Sequence, residues 1–271
     1  MKTILLTNDD GFYAPGLRAL EAALSTALKG EYRIFTIAPD TQRSATGHCI
    51  NFFNPIRVKQ ISDNAYTIDG SPADCVKIAA DFLGEPIDMV LSGINHGPNM
   101  GTDVHYSGTV AAAREAVINE IPGIALSLNK FTDNADFSYA ASYAVRIVKE
   151  IFPALQQGLY KGRPFLLNVN FPDAVSDAIR GEKITRLGQR IYHERLDVRK
   201  DPYGQQYIWV ACDGITHQSI PESDLDAVAE GFVSITPLIL DATDIDSLDG
   251  LSGIMDGMAN TLETVVSAGS G

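Results

Sequence analysis

Short apolar runs alternate with longer helical patterns along the first two-thirds of the chain, and this alternation limits the possible folds. The runs are too short for helices and predict buried strands at residues 3–7, 33–38, 89–92, 124–126 and 165–169. Amphipathic patterns between them predict helices at residues 15–28, 73–82, 108–117 and 137–152. Strands that alternate with helices connect by right-handed crossovers, which predicts an α/β protein with a doubly wound, mostly parallel sheet.

The pattern changes after about residue 172, where strand-like runs follow one another without long helices between them. The strands predicted there are residues 183–187, 191–196, 207–212 and 232–236. A hairpin is also predicted within the first part, at residues 56–60 and 65–69. We therefore expect functionally one domain in three parts: a core at 1–172, a β-rich extension or oligomerisation arm with a returning strand at 173–240, and an acidic tail at 241–271.

Composition excludes several classes of protein. Of the 271 residues, 45% are hydrophobic and 20% are charged, which is enough apolar side chain for a core and excludes a disordered chain. A net charge of −13 argues against binding a nucleic-acid polymer or an anionic membrane surface. The three cysteines are widely spaced and predict neither a disulfide framework nor a Cys-x-x-Cys metal site. Together with the lack of a leader-like or long apolar segment, this predicts a soluble, cytoplasmic protein.

The first predicted strand ends in polar residues. Asn8, Asp9 and Asp10 precede Gly11, which permits a sharp turn. In a doubly wound sheet, ligands bind at the carboxyl ends of the strands. Two carboxylates that converge there repel each other and require a cation or a shared proton. A solvated turn before the next helix fits these residues equally well.

Two later segments have the composition of an anion site. Residues 93–101 are rich in glycine and carry the amide side chains of Asn95 and Asn99, which suits a bound anion or a flexible surface turn. Ser107, Gly108 and Thr109 then open an alanine-rich helix, whose free N–H groups favour a phosphate. Ser107 alternatively, or in addition, is an ordinary N-cap.

The histidines give a weaker signal, because no pair has the His-x-x-x-His spacing of a zinc site. His48 lies beside the polar loops. We favour a catalytic or substrate-contact role for it, with a surface position as the alternative.

Taken together, the segments resemble the SurE family, the survival protein E phosphatases. The matching segments are residues 6–11, 14–16, 38–44, 47–48, 70–75, 92–95, 97–99, 106–113, 226–228, 231 and 233–238. The resemblance implies a Rossmann-like core with a β-rich extension, assembled as a homodimer or homotetramer through extended arms. It also implies a divalent-metal-dependent phosphomonoesterase that acts on nucleoside monophosphates.

Carried over by position, the metal ligands implied by the resemblance are Asp9, Asp10, Ser44 and Asn95. Such an all-oxygen set suits one Mg²⁺ or Mn²⁺ per subunit. Asp9 and Asp10 are the implied catalytic residues, and we prefer that they activate water over forming an aspartyl-phosphate. The expected phosphate or substrate contacts are Asn8, Asn99, Ser107, Gly108 and Thr109.

One position departs from the family pattern, because Ala45 stands where the family often has glycine. If the N–H of residue 45 holds phosphate with a positive φ, alanine is strained there. We expect hydrolysis of nucleoside 5′-monophosphates, with 3′-monophosphates and short polyphosphate as open alternatives. Two other functions remain: a non-catalytic nucleotide- or phosphate-binding module, and an assembly protein whose extension is the functional part.

Overall fold

The structure is a computed structural model that describes residues 1–132, 134–174, 176–255 and 258. Its strands are β1 (Lys2–Thr7), β2 (Tyr32–Pro39), β3 (Val58–Ser62), β4 (Ala65–Ile68), β5 (Met89–His96), β6 (Gly123–Leu128), β7 (Leu166–Phe171), β8 (Glu182–Ile184), β9 (Gln189–Lys200), β10 (Gln206–Gln218) and β11 (Val233–Leu238). Its α-helices are α1 (Pro15–Ala27), α2 (Pro72–Leu83), α3 (Gly108–Ile118), α4 (Ser138–Arg146), α5 (Phe152–Gln157) and α6 (Asp224–Ala229).

Nine strands form one sheet in the order β3-β4-β2-β1-β5-β6-β7-β11-β8. The run from β4 through β7 is parallel, and β3 and β11 join it antiparallel to β4 and β7. β9 and β10 form a separate antiparallel pair. This confirms the predicted α/β fold with a doubly wound, mostly parallel, Rossmann-like sheet and a β-rich extension.

Helices cover both faces of the sheet. The apolar face of α1 packs with α4 on one side, where Leu17, Leu20 and Leu24 are fully buried. Helices α2 and α3 cover the other side. Burial of each such leucine contributes about 1.5–3 kcal/mol. Packing therefore holds α1 in place, since its N-cap, Ala14, makes no side-chain capping bond.

Helix α3 lies unusually close to the sheet because it is built from small residues. Ala111, Ala112 and Ala113 are fully buried. A Cβ on Gly123, which opens β6, would lie 2.0 Å from the carbonyl oxygen of Ala113. The backbones of α3 and β6 are thus in direct contact. This contact fixes the helix whose start is predicted from the sequence to bind phosphate.

Several predicted boundaries were wrong. The single helix predicted at residues 137–152 is α4, a π-helical turn at Ile147–Ile151 and then α5. Pro153 takes an early position in α5, where its missing N–H is not needed. Strand β5 continues to His96 through an irregular register, so Asn95 lies on the strand and not in the loop after it.

The extension also differs in detail from the prediction. The segment predicted at 183–187 contributes β8, which joins the main sheet beside β11. The hairpin strands β9 and β10 are 12 and 13 residues long, far longer than predicted. The predicted hairpin at 56–60 and 65–69 forms as β3 and β4, and β4 extends the main sheet beside β2.

The chain separates into two compact units, Met1–Leu238 and Ile239–Gly271. In the second unit, residues 248–255 are helical. Much of the acidic tail predicted at 241–271 lies outside the described residues, and the three-part division of the chain stays a prediction. No helix in the described ranges has the length and apolarity to cross a membrane.

Candidate active site

Asp9 lies at the junction of β1 and α3. Its side chain is only 4% exposed, and the Thr109 hydroxyl donates a hydrogen bond to its Oδ1. A Cβ on Gly108 would lie 2.8 Å from the Asp9 Cβ, so only glycine allows this approach. Burial and the charge of Asp10 raise the pKa of Asp9 to about 6, although hydrogen bonds from Thr109 act against the rise. The ionised carboxylate therefore lacks compensating positive charge.

Asp10 follows Asp9 and contacts the end of β5. Its Oδ2 accepts a hydrogen bond of 2.9 Å from the backbone N–H of His96. Burial raises the pKa of Asp10, and the His96 hydrogen bond opposes the rise. Asp10 lines a small cavity of about 210 Å³ beside Pro15 and Gly16. The two carboxylates thus flank the end of β1.

A larger cavity of about 390 Å³ opens at the carboxyl ends of β1 and β5. The structure brings five of the predicted site residues to its wall: Asp9, Ser44, Asn95, Asn99 and Ser107. The other predicted residues lie behind this wall or beside it. The Asn8 amide donates to the Gly11 carbonyl at 2.9 Å, and Thr109 reaches the cavity only through Asp9.

His48 does not line the cavity. Its Nε2 lies 2.9 Å from Oε2 of Glu115, a residue of α3 that is only 2% exposed. The contact ties the loop after β2 to α3. His48 therefore holds the loop that carries Ser44.

Oxygen atoms dominate the groups that a cation would meet. The side-chain amide nitrogen of Asn95 donates to the Gly97 carbonyl at 2.8 Å, which directs its carbonyl oxygen to other partners. Ser44 Oγ accepts from Gln42 at 3.0 Å. The described part of the chain holds no group of three or more His, Cys, Asp or Glu side chains arranged for a metal. A cation held here would therefore use hydroxyl and amide oxygens beside the two aspartates, a hard-ligand set.

Asn99 is held by a buried polar network that sequence reasoning missed. Its backbone N–H donates to Oδ1 of Asn170 at 2.8 Å, and its carbonyl accepts from Asn168 and Asn170 at 2.7 and 3.1 Å. Its own amide donates to the Ser127 hydroxyl at 2.9 Å. Two asparagines two residues apart in an apolar strand were an available signal, because buried amides require partners.

The start of α3 and the loop after β2 have special backbone features. Ser107 Oγ accepts from the N–H of Val110 at 3.1 Å, so Ser107 is an N-cap as well as a residue of the cavity wall. Ala45, which also lines the cavity, has φ 58°. A left-handed conformation costs a residue with a Cβ roughly 1–2 kcal/mol, so the strain anticipated for Ala45 is present.

Three further residues at the cavity come from segments distant in sequence. Arg190 Nη1 pairs with Oδ2 of Asp103 at 2.6 Å, and the Tyr192 hydroxyl donates to Oδ1 of Asp103 at 2.7 Å. Asp103 lies in a 3₁₀ turn after β5, while the other two lie on β9. No local pattern predicts this pairing.

Comparison with known proteins places the chain in a family. A family profile described as survival protein SurE matches residues 4–194. The 5′-nucleotidase SurE of Syntrophomonas wolfei is 44% identical over 246 residues, which cover 89% of this chain and 90% of the relative. The 5′-nucleotidase SurE of Carboxydothermus hydrogenoformans is 41% identical over 268 residues, covering 96% of this chain and 99% of the relative.

Solved structures agree. The crystal structure of the SurE protein from Aquifex aeolicus superposes with a TM-score of 0.78 at 39% sequence identity, covering 93% of this chain and 99% of that one. The match therefore includes both sequence and architecture along nearly the whole length of each chain. The resemblance seen in the loops is confirmed, and the chain belongs to the SurE family.

Proposed function

We propose that this protein is a divalent-metal-dependent 5′-nucleotidase that hydrolyses nucleoside 5′-monophosphates to nucleoside and phosphate. The names of its relatives support the reaction. The observation that carries it is the Asp9–Thr109 hydrogen bond, which holds a buried carboxylate against the N-terminus of α3. That helix end attracts phosphate, whereas the carboxylate repels it. A cation between them removes the conflict, and a site built only to bind phosphate has no use for the carboxylate.

The proposed cation ligands are Asp9, Asp10, Ser44 and Asn95, with one Mg²⁺ or Mn²⁺ per subunit. Their fit rests on the uncompensated charge of the buried Asp9 and on the hard oxygen donors around it. The chemistry that such an ion would supply is polarisation of a phosphoryl oxygen and activation of water.

The chain's own residues then have separate tasks. Asp9 or Asp10 orients the attacking water or accepts its proton, which passes to the departing nucleoside oxygen, without a covalent aspartyl-phosphate. The amide of Asn99, the hydroxyl of Ser107 and the N–H groups that open α3 donate to the phosphate oxygens. Asn8 stabilises the turn after β1 by donating a hydrogen bond to the Gly11 carbonyl.

The same phosphate site makes 3′-monophosphates and short polyphosphate candidate substrates. The net charge of −13 supports small-molecule substrates over nucleic-acid polymers or membranes. We place the protein in the cytoplasm, since its three cysteines, Cys49, Cys75 and Cys212, are all free.

The function is tested by phosphate release from a panel of nucleoside 5′- and 3′-monophosphates. Excess EDTA should stop release and added Mg²⁺ or Mn²⁺ should restore it. Asp9→Asn should lower kcat about 10²- to 10⁴-fold, because it removes a group that handles the proton. Asp81→Asn, on the exposed side of α2, is the control and should match the wild type. Full activity in EDTA, or in Asp9→Asn, contradicts the proposed mechanism.

Ser107→Ala separates capping from phosphate binding. Loss of the cap should cost about 1 kcal/mol of unfolding free energy. Loss of a hydrogen bond to a charged phosphate, worth roughly 1.5–3 kcal/mol, should also lower kcat/KM about 10- to 150-fold. Ser223 caps α6 in the same way, by accepting from the N–H of Asp226, and lies off the cavity wall, so Ser223→Ala should lose stability with unchanged kcat/KM. The same result in Ser107→Ala would assign that residue to the cap alone.

We also propose that the β9–β10 hairpin joins copies of the chain into a dimer or tetramer. Leu196 pairs with Val210, and Val198 with Ile208, so four exposed apolar side chains share one face. An isolated two-stranded ribbon with such a face is marginal alone. Val210→Lys should reduce the mass seen by light scattering, and Trp209→Lys, on the opposite face of the same strand, should not. A monomeric wild type at micromolar concentration contradicts the proposal.

A further inference from the structure

One face of the β9–β10 hairpin forms part of the cavity wall. Arg190 and Tyr192 on β9, and Ile215 on β10, line the cavity. Tyr192 is paired with Ile215 across the strands, and Arg190 lies two residues before Tyr192. Cross-strand partners and residues two apart share a face of the ribbon. The three side chains therefore form a continuous surface that faces the cavity.

Asp103 fixes this surface relative to the start of α3. Its carboxylate accepts from Arg190 and from the Tyr192 hydroxyl, at 2.6 and 2.7 Å. Its backbone carbonyl accepts from the N–H of Ser107 at 3.1 Å. Asp103 itself is 9% exposed. Asp103 thus binds the hairpin through its side chain and the start of α3 through its backbone. These contacts fix the distance between the two walls of the cavity.

The charges on this wall do not suit a second phosphate site. Among the described residues that line the cavity, Arg190 is the single lysine or arginine. Its charge is already matched by Asp103 in a mostly buried ion pair. The wall is therefore close to neutral, and its remaining surface is aromatic and aliphatic.

Three exposed aromatic side chains line the cavity. Tyr192 is 40% exposed, and Tyr106 and Phe131, which also line the cavity, are 67% and 69% exposed. Because the Tyr192 hydroxyl is bound to Asp103, the ring face is the part of this side chain left to contact a ligand. Aromatic faces stack on nucleobases without selecting among them.

We propose that the hairpin supplies the nucleobase-binding wall of the active site, with Tyr192 as the ring on which the base stacks and Asp103 as the residue that positions it. The inference rests on the proposed 5′-nucleotidase function and names the part of the substrate that the hairpin recognises. A nucleotide whose phosphate lies at Ser107 extends its base toward the wall that Asp103 ties to that residue.

The test compares AMP with ribose 5-phosphate, which has the same phosphate ester but no base. In Tyr192→Ala, the ratio of kcat/KM for AMP to that for ribose 5-phosphate should fall about 5- to 150-fold, the range for loss of one base–aromatic stack. The fall should appear mainly in KM for AMP. Tyr192→Phe keeps the ring and should retain most of the ratio. Tyr207→Ala, a similarly exposed tyrosine on β10 away from the cavity, should keep the wild-type ratio.

The outcomes distinguish this inference from the proposed function on which it rests. Equal losses of kcat/KM on both substrates in Tyr192→Ala would show a structural role and overturn the inference. No loss on either substrate would overturn it as well. A wild type that hydrolyses neither substrate would overturn the proposed function itself. Melting temperatures and light-scattering masses of all variants show whether any loss comes from unfolding or altered assembly.

Discussion

A buried carboxylate next to a second one is the constraint on which the rest of this site depends. Asp9 is almost inaccessible, and burial together with the charge of Asp10 raises its pKa to about 6. Such a group is tolerated when partners compensate its charge. The chain provides a hydroxyl from Thr109 and glycine at 108, which lets α3 approach, and the oxygens nearby suit a cation.

The sheet order explains why the needed groups converge on this carboxylate. From β1 the chain continues to β2 on one side, whereas β5 lies on the other side of β1. The order in which successive strands are added to the sheet therefore reverses between β1 and β5. Ligands bind in doubly wound sheets at such a switch point. The loop after β2 carries Ser44, the end of β5 carries Asn95, and α3 supplies Ser107. Asn95 and Ser107 come from a strand and a helix start near β1, and the loop with Ser44 is tied to α3 by the contact between His48 and Glu115.

Structural features that depend on local sequence pattern were predicted correctly, whereas features that depend on contacts between distant residues were missed. The alternation of strands and helices predicted the parallel sheet. The polar segments pointed to Asp9, Asn95, Asn99 and Ser107 on the cavity wall, and the family resemblance added Ser44. The hairpin strands were predicted too short, because most of their residues are exposed and no alternation marks their ends. Asp103 and Arg190 are 87 residues apart, and only the folded hairpin brings them together.

The most direct test of the account is calorimetric titration of Mn²⁺ into protein stripped of metal by a chelator. The account predicts one bound ion per chain in the wild type and in Asp81→Asn, and loss of binding in Asp9→Asn, where the buried charge is gone. Wild-type protein that binds no Mn²⁺, or Asp9→Asn that binds it with unchanged affinity, would show that Asp9 is not the centre of a cation site.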